Sequence, residues 1–166
     1  MSVNEPRQTP PLSILEPQER LAGGRLHCVF ITCFCHDIEF FQRLLLYSEI
    51  RLHRAETLDE ADFLLTVTGS KVLISDTVFL DGSWVDALER LSLVHPRSSF
   101  VVAAEPVDLE FVGDAVDRGA CAVLWKPLDL AQLMRVIRTV HEAALERCSL
   151  DEAIRVSAPS APLCAV

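Results

Sequence analysis

Two residues in this chain combine type and position in a way that suits ionic chemistry: Asp76 and Lys126. Asp76 closes the apolar run Val72-Leu73-Ile74-Ser75 inside the stretch KVLISDTVFLDG, which begins at Lys71. A carboxylate at the end of a buried strand is costly unless a partner compensates it. Lys126 follows a second apolar run, Cys121–Trp125, and is one of only two lysines, the other being Lys71. In an open α/β sheet such strand ends share one rim, where these folds hold their ligands. A carboxylate and an ammonium brought to that rim can meet a charged ligand or each other. The plainer reading is an ion pair between the two.

A second constellation is Cys33-Phe34-Cys35-His36-Asp37. Cysteine and histidine at close spacing suit a soft metal or a redox sensor. Two thiols and an imidazole fall short of a closed four-ligand zinc site unless Cys121 or Asp76 joins. The plainer reading makes Cys33 core filler and His36 a loop residue. Glu105 and Asp81 are further carboxylates able to recruit a cation beside Asp76. The chain carries no Gly-rich phosphate loop and no nucleophile-elbow motif, so an enzyme is the weakest option.

The elements that must position these residues follow from the pattern. Leu26–Phe34 reads as a strand, and Asp37–Glu49 as a helix with Ile38, Phe41, Leu44, Leu45 and Ser48 at helical spacing and Asp37 as N-cap. Arg51–Ala55 is a polar, edge-like strand. Thr57-Leu58-Asp59-Glu60 matches a capping box for a helix ending before Gly69. Val72–Asp76 is the third strand, and Ser83 caps a helix to Val94. Ser99–Ala104 is the fourth strand, and Asp108 caps a helix ending at Gly119. Cys121–Trp125 is the fifth strand. Asp129 starts the last helix, which ends between His141 and Ile154.

Five strands alternating with helices imply a doubly wound, flavodoxin-like parallel sheet of order 2-1-3-4-5. The rim then gathers the segments around Cys33, Asp76, Ala103 and Lys126. Residues 1–24, with four prolines and Gly23-Gly24, read as a tail, 25–147 as the domain, and 148–166 as a C-terminal extension.

Of the 166 residues 50% are hydrophobic and 23% charged, which excludes wholesale disorder and permits a sizeable core. The net charge of −9 and the absence of a Lys/Arg cluster argue against nucleic-acid binding. The N-terminus is not a signal peptide, and no segment approaches a membrane span. A cytoplasmic protein with six reduced cysteines is expected.

From about Leu26 to Arg147 the chain resembles the receiver domain of bacterial response regulators. VLISD ending in Asp76 matches the strand of the phosphoaccepting aspartate, and GACAVLWKPLDLAQLMRVI matches the fifth strand, its Lys-Pro and its Asp-capped helix. The resemblance implies phosphorylation at Asp76, phosphate pairing by Lys126 and a cis peptide before Pro127. It also implies an acidic pair for Mg²⁺ after strand 1, a hydroxyl at the end of strand 4 and an aromatic switch in strand 5. Here the acidic-pair positions fall on Cys33 and Phe34, the hydroxyl position on Ala103 and the aromatic position on Val123. Leu80 stands where the following loop has a proline.

Cysteine and phenylalanine offer a hard cation no oxygen ligands. Removing a cation's charge a few ångströms from a phosphoryl group costs about 4 kcal/mol at moderate dielectric. At tenfold per 1.36 kcal/mol, that is roughly three decades in rate. The expected protein is therefore a degenerate, stand-alone receiver-like module without an output domain, with Mg²⁺ binding lost or weak. It would act through protein partners: a histidine kinase or another signalling protein, or a second copy through the helix 4–strand 5–helix 5 face. The alternatives are a receiver that does accept phosphate at Asp76, and a flavodoxin-like module that binds a small molecule or metal, or senses redox state. Trp125 is read as core or half-buried, with an exposed partner anchor as the alternative.

Overall fold

The structure is a computed structural model that describes residues 24–106 and 109–157. Five strands form one all-parallel sheet: β1 (Leu26–Ile31), β2 (Ile50–Ala55), β3 (Val72–Asp76), β4 (Ser99–Ala104) and β5 (Ala122–Trp125). Their order is β2-β1-β3-β4-β5, the order expected from the alternating pattern. β3 and β4 are buried at every position, as strands covered on both faces must be. The alternation of side chains divides the interior into two clusters. Cys28, Phe30, Ile74 and Val101 pack with Ile38 and Phe41 of α1 (Cys35–Leu44) and with Leu133 and Ile137 of α5 (Leu130–Ser157). Val29, Ile31, Leu73 and Val102 pack with Leu65 of α2 (Leu58–Thr68), Leu88 of α3 (Trp84–Val94) and Ala115 of α4 (Leu109–Arg118).

The helix signals explain most of the boundaries. The Thr57 hydroxyl accepts from Glu60 N, while the Glu60 carboxylate takes the N–H of Glu56, so the box closes one residue upstream of its usual partner. Gly69 ends α2 at φ 65, the left-handed cap that glycine adopts without strain. Ser83 and Asp86 form the reciprocal capping box of α3. Asp129 caps α5 by accepting from Gln132 N at 3.0 Å. Asp108 as the cap of α4 lies outside the described residues, as do the tails at 1–23 and 158–166.

Three expectations are corrected. Asp37 is not the N-cap of α1, because the helix starts at Cys35 with Phe34 at the cap and Asp37 inside the first turn. This places His36 in the helix rather than in a loop. The helix also stops at Leu44, where one 3₁₀ turn, Leu45–Tyr47, replaces its last predicted turn. Ser48 drives that change: its hydroxyl takes the N–H of Ile50 and bonds Leu45 O at 3.0 Å, a local alternative to helical bonding. At the other end, α5 runs past its expected limit to Ser157.

Candidate functional site

β3 carries Asp76 to the carboxyl edge of the sheet, where Asp76 pairs with Ala103 of β4 and Ser75 pairs with Ile31 of β1. This register sets Thr32, the residue after β1, beside Asp76. Lys126 N donates to Ala104 O at 2.9 Å and so extends the β4–β5 ladder one residue past Trp125. That extension brings the lysine stem to the same rim. The Lys126–Pro127 peptide is cis, as the resemblance implied.

Asp76 is only 2% exposed, and both its oxygens are engaged from within the chain. The Thr32 hydroxyl donates to Oδ2. Lys126 Nζ lies 2.7 Å from Oδ1. This second contact is a charge pairing rather than a well-directed hydrogen bond. The Thr32 hydroxyl is oriented in turn by Phe34 N, which donates to it at 3.0 Å. The Phe34 ring lies 5.0 Å from Lys126 Nζ, a cation–π contact on a ring that is 59% exposed. Thr32, Phe34, Asp76 and Lys126 therefore make one connected set.

The chain leaves Asp76 through a tight antiparallel hairpin, in which Val78–Phe79 pairs with Gly82–Ser83 and Trp84 N bonds Thr77 O at 3.1 Å. Phe79 is buried beneath it, while Val78 and Leu80 are exposed. Asp81 does not turn toward Asp76. Both its carboxylate oxygens accept from Leu58 N, so it serves as a cap for α2 supplied from another segment.

The remaining predicted residues scatter. Cys33 is exposed with a free thiol, not core filler, and Cys121 is exposed on a separate loop. Among the described residues no group of three or more His, Cys, Asp or Glu side chains is placed to hold a metal. Ala103 is wholly buried opposite Asp76 and presents no hydroxyl. Val123 is half-buried against the α2–α3–α4 cluster. Trp125 is half-buried, and Trp84 is buried edge-on to Phe111, with ring centroids 5.5 Å apart. Glu105 is exposed. Thr32 is the partner of Asp76 that the sequence pattern alone did not single out.

Fold and rim together are those of a doubly wound α/β domain with its candidate site at the carboxyl edge of the sheet. No family model matches the chain, and no curated protein matches its sequence. Solved structures do. The chain is similar to an adenylate cyclase from Rhodopirellula baltica, with a TM-score of 0.70 at 16% identity over 80% of this chain and 98% of that one. It is similar to a response regulator receiver domain protein from Clostridium thermocellum, with a TM-score of 0.62 at 20% identity over 75% and 98% of the two chains. A third is the signal receiver domain of an HD domain-containing protein from Pseudomonas fluorescens, with a TM-score of 0.66 at 21% identity over 75% and 93%. The fold is that of a response regulator receiver domain.

Proposed function

We propose that the chain is a non-catalytic, cytoplasmic signalling module of the receiver type that no longer responds to phosphorylation and works through protein contacts. The observation that carries this reading is the state of Asp76, with Thr32 on one oxygen and Lys126 on the other. A phosphoryl donor must displace the hydroxyl, and the positions that match the acidic pair of receivers carry Cys33 and Phe34, which offer a divalent cation no oxygen ligand. Mg²⁺ binding is accordingly weak or lost. The neutral hydroxyl of Thr32 supplies a hydrogen bond where transfer chemistry needs positive charge. Ala103 offers no hydroxyl to hold a transferred phosphoryl group.

The partner class is a histidine kinase or another signalling protein. The face formed by α4, β5 and α5, with exposed Val116 and half-buried Trp125, is the surface proposed for a second copy. Incubation with acetyl phosphate and Mg²⁺, followed by intact mass measurement, tests the reading. No phosphoryl adduct is expected. A stoichiometric adduct that disappears in Asp76→Asn overturns it and makes the protein a working phosphoacceptor.

A further inference from the structure

Lys126 is spoken for by Asp76, and the other lysine is not. Lys71 sits at the opposite edge of the sheet, one residue before β3. Among the described residues it makes no ion pair. Two more cations converge there. Arg97 precedes β4 and, among the described residues, pairs with Asp151 of α5 at 3.8 Å. Arg147 of α5 donates to the hydroxyl of Ser99 and makes no ion pair among the described residues, while Ser99 N bonds Lys71 O at 2.7 Å. Lys71, Arg97 and Arg147 are gathered at this edge of a chain of net charge −9, with Asp151 on Arg97 and Glu142 beside His141 as nearby acidic groups.

Beside this cluster lies a groove of about 390 Å³ between the C-terminal ends of α2 and α3. Leu65, Val94 and Pro96 give it an apolar wall, and Lys71 and Arg97 line it with charge. His95, also on the groove, faces Asp62 at 3.5 Å, and Arg90 holds the same carboxylate at 2.6 Å. Arg90 thus pairs the Asp62 carboxylate, which limits how far that charge offsets the cluster. Two helix ends favour nearby cations on their own. They do not account for the apolar-walled space between those cations.

We propose that this groove binds a small phosphate monoester, with Lys71 and Arg97 on the phosphate and the apolar wall against the ester group. A guanidinium fork and an ammonium together match a phosphate dianion better than a single carboxylate. The volume falls in the range of small-molecule sites, roughly 300–1,000 Å³. The site lies at the opposite edge of the sheet from Asp76, so it stands or falls independently of the phosphorylation chemistry there.

Phenyl phosphate, titrated without Mg²⁺ into the ¹⁵N-labelled full chain, is the probe, with inorganic phosphate, benzoate and phenol as comparison arms. Saturable amide shifts are expected at Gly69, Lys71, Arg97 and Ser98, with a dissociation constant on the order of 1 mM or tighter. Inorganic phosphate and benzoate bind more weakly, and phenol does not bind. Lys71→Gln and Arg97→Gln each weaken binding about tenfold, Lys71→Arg retains it, and Lys126→Met leaves it unchanged. Melting temperatures check that each variant is folded. Three results each overturn the proposal: no saturation by about 10 mM, unchanged affinity in the folded Lys71 and Arg97 variants, or shifts centred on Lys126. Benzoate binding tighter than phenyl phosphate overturns the phosphate assignment.

Discussion

Asp76 is a buried carboxylate held by one charge and one hydroxyl, and its partners do not count equally. Removing one side of a buried ion pair costs about 3–5 kcal/mol, because the remaining charge is left unpaired. Lys126 is 20% exposed, so water reaches it and the lower figure applies. Lys126→Met should therefore destabilise the protein by about 3 kcal/mol in urea unfolding. Adding Asp76→Asn to that variant should recover much of the loss, since the orphaned charge disappears. A double variant no more stable than Lys126→Met means that the pairing is not what stabilises this rim. Thr32→Val removes a hydrogen bond to a buried acceptor and should cost about 1–3 kcal/mol. The sequence displayed Asp76 and Lys126 through their flanking apolar runs. It did not display Thr32, because a neutral hydroxyl after a strand has no meaning until the register sets it beside Asp76. The positions that match the acidic pair of receivers, Cys33 and Phe34, lie one and two residues beyond it: one is an exposed thiol, and the other stacks under Lys126.

At the scale of elements, the hairpin after β3 fixes how Asp76 is presented. A Cβ on Gly82 would stand 3.2 Å from both Asp86 Oδ2 and Phe79 Cε2. Asp86 is tied into the capping box of α3 and Phe79 is buried, so neither moves freely. Gly82→Ala should lower stability by about 1–2 kcal/mol through overpacking. An unchanged urea midpoint would show that the hairpin yields without cost. β3, β4 and α3 were legible to the residue, because apolar runs bounded by capping residues leave little choice of boundary. The first helix was not. Its pattern continues through Leu44 and Leu45, yet Leu44 is exposed and the Ser48 turn ends regular helix before it. The same turn has a purpose at the open edge of the sheet. In the β1–β2 ladder, Leu26 N and Thr32 N bond Glu49 O and Ala55 O. By alternation, Ile50 and Leu52 point their backbone groups outward. Ser48 accepts from Ile50 N and Gln42 donates to Leu52 O, so two outward groups of the edge strand are already bonded.

At the scale of the whole molecule, the pH response is set by histidines held neutral inside the fold. His27 on β1 and His53 on β2 share a hydrogen bond, Nδ1 to Nε2, at 2.8 Å. Such a bond needs at least one neutral ring, because one nitrogen must accept. Burial lowers the pKa of His27, and Arg25 and Arg51 lower it further. Burial also lowers that of His53, with His27 and Arg51 adding to the effect. His141 on α5 is lowered by burial and by Lys71, with Glu142 opposing. In the unfolded chain these rings titrate near the ordinary histidine value of 6.5. Below that value the unfolded chain binds protons that the folded protein resists, so acidification favours unfolding. The histidine contribution is therefore fully present above pH 6.5 and is lost as the pH falls through the lower folded-state values. Carboxylates scarcely titrate between about pH 7.5 and 5.5, and protonation there relieves some repulsion in an acidic chain, which acts in the opposite direction. The urea midpoint should nonetheless fall between these two conditions. Replacing both strand histidines, His27→Gln with His53→Gln, should flatten that fall by removing the half-buried rings that resist protonation. An equally steep fall in the double variant would move the pH dependence away from the β1–β2 pair and onto His141.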